Sequence, residues 1–149
     1  MKKRFSGSFL LILLRCVTVP LAHGIAVRVY ASFLAAVEAV EGCDICSNVY
    51  IEVIDSSPRI AIAVGEKYFF RVGSRLAVTV VVIDRGDHVV LKAIATAGRK
   101  GLISFFDYRA SKAYVAKVVE SVCRALEAKC EVVAEVSHLD RFKSSWLKA

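Results

Sequence analysis

Arg75-Leu76-Ala77-Val78-Thr79-Val80-Val81-Val82-Ile83, then Arg85-Gly86-Asp87, then His88-Val89-Val90-Leu91-Lys92-Ala93-Ile94-Ala95-Thr96 read in that order as strand, turn and return strand. β-Branched residues suit a pleated, packed surface, and a glycine-bearing turn between two such runs marks an antiparallel hairpin. The first run is apolar on both faces. Leu76, Val78, Val80 and Val82 lie on one face and Ala77, Val81 and Ile83 on the other, with Thr79 the one polar residue. An antiparallel sheet with helices on one side normally turns polar residues outward on the other. The run therefore predicts a second cover, either a homodimer partner or a docked C-terminal tail.

Working toward the N-terminus, Ile60, Ile62 and Val64 form a strand, with Ala61 and Ala63 opposite, and Val49, Ile51 and Val53 form another. Asp55-Ser56-Ser57-Pro58 is a turn between them, and Gly65-Glu66-Lys67 reads as a second turn, with Tyr68 to Val72 either a short extra strand or the start of the next one beyond a bulge at Gly73. Ile25, Val29, Phe33, Val37 and Val40 recur at three- and four-residue spacing, which predicts a helix over 23–41 closed by Gly42. Residues 8–19 read as a first strand ending at Pro20. Toward the C-terminus, a loop opens at Gly98-Arg99-Lys100-Gly101 and runs through Phe105 and Phe106. A helix over 108–129 follows, capped by Asp107 or Ser111 and about 30 Å long. Val132, Val133 and Val136 read as a further strand or short helix, and Trp146 as a residue that docks back. The expected class is α+β: strand, helix, four strands and a long helix gripped by an antiparallel sheet. One domain fills 1–149, with a core over about 8–129 and a tail over 130–149.

Composition bounds habitat and partners. The 149 residues include no Gln, one Asn and one Met, a depletion of thermolabile side chains that points to a thermophile. A net charge of +7 favours phosphate-bearing or otherwise anionic partners. Lys2-Lys3-Arg4 followed by the apolar run 9–14 imitates a signal peptide. Arg15 ends that run too early for a secretory core or a membrane span, so a cytoplasmic protein with no membrane span is expected.

The five cysteines are Cys16, Cys43, Cys46, Cys123 and Cys130. Cys43-Asp44-Ile45-Cys46 is a C-x-x-C pair, and with Cys123 and Cys130 it offers a zinc set, but the second pair lacks C-x-x-C spacing. A thioredoxin-type site would open a helix, and this motif follows one. Buried thiols or structural disulfides are the expected state. His23, His88 and His138 show no metal-binding or triad spacing and read as surface or turn residues. No catalytic set and no metal site are expected. Gly98-Arg99-Lys100-Gly101 has the form of a phosphate-clamping loop, though the helix pair of a KH domain is missing around it.

The order of elements, and above all Val89 to Leu126 with Phe105-Phe106-Asp107-Tyr108 between last strand and long helix, resembles the TATA-binding-protein-like fold. Within that fold the chain is similar to compact, uncharacterised thermophile archaeal members of the START/SRPBCC (helix-grip) superfamily. The resemblance implies an apolar cavity between sheet and C-terminal helix, holding a small apolar or acyl ligand, with coenzyme A the candidate cofactor. Candidate ligand-binding residues are Arg71, Arg75, Arg99 and Lys100 for an anionic group, and Phe105, Phe106, Tyr108 and Tyr114 as lining. The arginines read equally as ion-pair partners of Glu66, Asp84 and Asp107. Two other functions are carried beside ligand binding. One is a nucleic-acid module, disfavoured because the exposed strand faces lack basic and aromatic residues; the other is a homodimeric interaction protein.

Overall fold

The computed structural model describes residues 20–70, 73–97 and 104–148, and of 104–107 only the backbone. The elements are β1 (His23–Val29), α1 (Phe33–Glu41), β2 (Asn48–Ile54), β3 (Ile60–Phe69), β4 (Ser74–Asp84), β5 (Val89–Ala97), α2 (Ser104–Leu126) and β6 (Cys130–Val136), followed by a 3-10 turn at Lys143–Leu147. The strands make one six-stranded sheet in the order β2-β3-β4-β5-β1-β6, antiparallel throughout. The class is α+β. The strand expected over 8–19 lies outside the described residues.

Four sequence expectations are corrected. The first half of the helix expected over 23–41 is β1. Ile25 and Val29 fit a helical period, but Ile25, Val27 and Val29 also alternate, and all three enter the core. The helix starts only after Ser32, whose hydroxyl oxygen accepts from the Ala35 N–H at 3.2 Å. No turn interrupts β3 at Gly65-Glu66-Lys67, because Gly65 serves a close approach and the chain reverses instead at Gly73, which has φ +59°. α2 begins at Ser104, so Asp107 and Ser111 are not caps and Phe105 and Phe106 sit in the first turn of the helix. The tail docks through Leu147, whereas Trp146 is 64% exposed.

Both helices cover one face of the sheet. α2 lies over β1 and β5, and α1 over β3 and β4. Tyr114, Val115, Val118 and Val122 project from α2 without accessible surface, and meet Val27, Val80, Leu91 and Ala93. The opposite face is covered only in part. Leu147 and Leu139 close over Gly24, Ala26 and Ile94, which cover the β1, β5 and β6 side. A Cβ at Gly24 would press on the Leu147 side-chain methyl, so Leu147 sits close over the glycine and would have to shift for a larger residue. Among the described residues, none packs over the β2, β3 and β4 half. Cys123 and Cys130 form a disulfide that joins the end of α2 to the start of β6.

Candidate functional site

The register places Arg75 of β4, Ala97 of β5 and His23 of β1 toward the same end of the sheet. There His23, on the helix-covered face, has no accessible surface. Its Nε2 lies 2.9 Å from Glu135 Oε1 of β6 and its Nδ1 3.3 Å from Tyr108 Oη of α2. The carboxylate only accepts, so the proton sits on Nε2 and Nδ1 accepts from the tyrosine hydroxyl. The Tyr108 ring stacks on His138 at 4.0 Å, and His138 Nδ1 donates to the Pro20 carbonyl at 2.9 Å. Lys112 stands 3.7 Å from the same Glu135 oxygen. Burial holds the His23 imidazole below its ordinary range against the pull of Glu135, while Lys112 and His138 push the same way as burial. A neutral, hydrogen-bonded histidine thus ties β1, α2, β6 and the tail. The expectation that His23 is a surface or turn residue at a helix start is corrected: it is a strand residue with two side-chain partners.

Of the candidate ligand-binding residues whose side chains are described (Arg75, Tyr108 and Tyr114), only Tyr108 belongs to this network. Arg75 is an exposed ion-pair partner of Glu66 at the start of β4. Tyr114 is core: its hydroxyl donates to the Ile45 carbonyl at 3.1 Å and its ring packs edge-on against Phe69. Arg71, Arg99 and Lys100 lie outside the described residues, as do the side chains of Phe105 and Phe106. His23, Lys112 and Glu135 were not singled out as a set. The alternation of His23, Ile25, Val27 and Val29 was the available signal for the first; nothing local joins it to Glu135, 112 residues away.

The open half of the second face has an ordered pattern. Pairing registers place Glu52 beside Ile62, Ile62 beside Val81 and Val81 beside Lys92, one row across β2, β3, β4 and β5. The next rows are Ile54, Ile60, Ile83, Val90 and Tyr50, Val64, Thr79, Ile94, and they are open only as far as β4, since Val90 is buried and Ile94 lies under the tail. The first two rows are apolar at their centres, the third holds Thr79 beside Val64, and the row of Glu52 and Lys92 ends in an acid on one side and a base on the other. Tyr50 donates to the Glu52 carboxylate. Partial burial holds the Lys92 ammonium below its ordinary range, and the neighbouring charges of Arg85 and Lys148 lower it further. Tyr68, 45% exposed, extends the face along β3.

Among the described residues no cluster of three or more His, Cys, Asp or Glu is placed to hold a metal ion, and no helix is long and apolar enough to cross a membrane. A small apolar crevice of about 10 Å³, lined by Val37, Val40, Ile51 and Val80, lies under α1 and not under α2. It has room for one water at most. A search of the curated proteins finds no match to the chain. A family model does match residues 43–126, more than half of the chain, from the C-x-x-C pair through the end of α2. The chain belongs to DUF6054, a family of unknown function.

Proposed function

We propose that this protein is a self-associating interaction domain that pairs two copies face to face through the uncovered half of its sheet. The row Glu52, Ile62, Val81, Lys92 carries the reading. A two-fold axis parallel to the strands, above the seam between β3 and β4, exchanges the two ends of that row. It lays Glu52 of each copy against Lys92 of the other and Ile62 against Val81. Sheets pack face to face about 10 Å apart with their strands nearly aligned, which suits such an axis. At about 6.8 Å between rows and 4.8 Å between strands, three rows across four strands offer roughly 400 Å² of sheet plane per copy before side-chain relief. A standard interface uses about 800 Å² per partner, so a dimer of modest affinity is expected.

Sedimentation equilibrium tests the reading. The wild type forms dimers at micromolar concentration. Glu52→Lys and Lys92→Glu each place like charges across the axis and weaken the dimer about tenfold or more, and the double exchange restores it. A wild type that stays monomeric at high micromolar concentration overturns the proposal, as does a double exchange that fails to recover association.

A second reading keeps the acyl or coenzyme A-type ligand of the helix-grip resemblance. The position of α2 across β1 and β5 supports it, together with Lys112, Tyr108 and His138 at the sheet end. The middle of the interface between α2 and the sheet is filled by Tyr114, Val115, Val118 and Val122. The ligand would therefore engage the Tyr108 end. Native mass spectrometry of protein from its own host, compared with the denatured mass, detects it; a clean apo mass removes this reading.

A further inference from the structure

After β6 the chain folds back over the sheet as a turn covering 138–148. Leu139 and Leu147 point inward and close over Gly24, Ala26 and Ile94. Phe142 and Trp146 face outward, 75% and 64% exposed. Hydrogen bonds hold the turn in shape. The Asp140 carboxylate accepts from the Phe142 and Lys143 N–H groups at 2.8 and 2.9 Å. The Ser144 hydroxyl donates to the Arg141 carbonyl at 2.7 Å, and the Lys143 ammonium donates to the His138 carbonyl at 3.2 Å. The two aromatics are therefore presented on a built turn and not on a loose end.

Cations surround these rings. Residues 138–148 carry Arg141, Lys143 and Lys148 against the single acid Asp140, which the two backbone N–H groups occupy. The Arg141 guanidinium lies 4.7 Å over the Phe142 ring. Lys148 stands close enough to Lys92 of β5 to help lower its ammonium, so like charges gather on this side of the sheet. The N-terminal stretch joins the same place. His138 Nδ1 donates to the Pro20 carbonyl and the Leu139 N–H donates to the Ala22 carbonyl at 2.8 Å, so the chain reaches β1 beside this turn. Ahead of Pro20 the sequence reads Lys2-Lys3-Arg4 and then Phe9-Leu10-Leu11-Ile12-Leu13-Leu14, again basic and apolar.

We propose that the 138–148 turn docks the protein on the surface of a bilayer that contains anionic lipid, with Phe142 and Trp146 entering the headgroup region and Arg141 and Lys148 meeting lipid phosphates. Aromatic side chains settle at the border of headgroup and acyl chain, where one part of the ring is dry and the other wet. Each cation held near an anionic surface strengthens binding about fivefold. The turn lies on the bilayer and does not span it. A nucleic-acid strand fits this surface less well. Proteins that hold single strands line a positively charged groove with aromatic rings. Here both rings stand on the outside of a turn raised above the sheet, and Arg141 already covers one side of Phe142. This surface is separate from the part of the sheet that carries Glu52, Ile62 and Val81, so it stands whether or not two copies pair.

Trp146 is the only tryptophan of the chain, so its emission reports on this turn alone. The full chain is mixed with vesicles of phosphatidylcholine and about one third phosphatidylglycerol, and co-sedimentation and emission are measured. The protein is expected to pellet with the vesicles while the emission moves to the blue. Both effects should fade with pure phosphatidylcholine or with added salt. Trp146→Ala and Phe142→Ala should each weaken binding about tenfold, and Arg141→Gln with Lys148→Gln about twentyfold. All four side chains are exposed, so these variants keep the fold, which circular dichroism checks. Protein that stays in the supernatant overturns the proposal. Binding with unshifted Trp146 emission does so too, as does binding that the substitutions leave unchanged, since residues 2–14 would then carry it alone. A single-stranded oligonucleotide that quenches Trp146 where vesicles fail to bind assigns the turn to nucleic acid and also overturns it. The wild-type emission stands on its own if a variant fails to fold.

Discussion

Gly65 lies against the backbone of Cys46 so closely that a Cβ at Gly65 would stand 2.0 Å from the Cys46 carbonyl oxygen. Real atoms do not approach so near, and the obstructing group is main chain, which cannot rotate away. The glycine therefore fixes how tightly the 43–46 turn closes onto β3. Gly65→Ala is expected to lower the unfolding free energy by about 3 kcal/mol, at the upper end for overpacking. It should also push the turn outward, so that Cys43 alkylates faster in the folded protein. Urea unfolding and alkylation kinetics check the two effects, and an unchanged midpoint would contradict the contact.

His23 supplies a pH dependence. Its folded-state pKa is lowered from 6.5, chiefly by burial. Between that lowered value and 6.5 the unfolded chain binds more protons than the folded one, so stability rises with pH across this window. The His23 contribution is complete above 6.5 and is lost as pH falls toward the folded value. His23→Gln removes the titration and should flatten that part of the profile. It should also lower stability at neutral pH by about 2 kcal/mol, because Glu135 and Tyr108 lose well-placed partners. Denaturant midpoints from pH 5 to 8 for both proteins give the comparison.

The hairpin of β4 and β5 was legible because its β-branched runs fit only one period, and because Arg85-Gly86-Asp87 supplies the turn, with Gly86 at φ +89°. β1 was not, since Ile25, Val29 and Phe33 satisfy both a helical and an alternating spacing; only its central place between β5 and β6 decides between them. Gly65 was misread for a related reason: a glycine announces special geometry without saying whether the chain turns or another backbone comes near. The two-faced apolar character of β4 raised the expectation of a second cover over that strand, and the tail does not provide it among the described residues. The tail packs over Ala26 of β1 and Ile94 of β5, not over Val81. The pairing of Glu52 with Lys92 across one row could not be read, because it exists only once three registers are known.

Val81 lies near the centre of the proposed interface, beside Ile62, and is only partly buried on the uncovered face. Val81→Asp leaves the helix-covered core untouched, so the fold should persist with a change in stability of under about 1 kcal/mol. In the dimer the same carboxylate would be desolvated between two apolar sheets, at a cost of several kcal/mol. The variant is expected to be a folded monomer by circular dichroism and sedimentation. A folded variant that still dimerises would move the interface elsewhere, with the exposed edge of β2 the next place to look.

The Cys123–Cys130 disulfide closes a short loop, with a sequence separation of 7. For a loop of that size the lost freedom of the unfolded chain corresponds to about 2.5 kcal/mol. The bond also holds the start of β6, which among the described residues is an edge strand paired only with β1. Cys130→Ser should therefore lower the unfolding free energy by about 2.5 kcal/mol. It should speed amide exchange along Cys130–Val136 more than along β3 or β4, whose pairing lies on the far side of the sheet. Glu135 rides on that strand, so loosening β6 also loosens the partner of His23. In Cys130→Ser the acid-side slope set by His23 should shrink, because a less enclosed imidazole titrates nearer its ordinary value. Exchange and the pH profile read these two consequences separately. If exchange rises evenly over the whole sheet, the disulfide acts on the unfolded chain alone and not through β6.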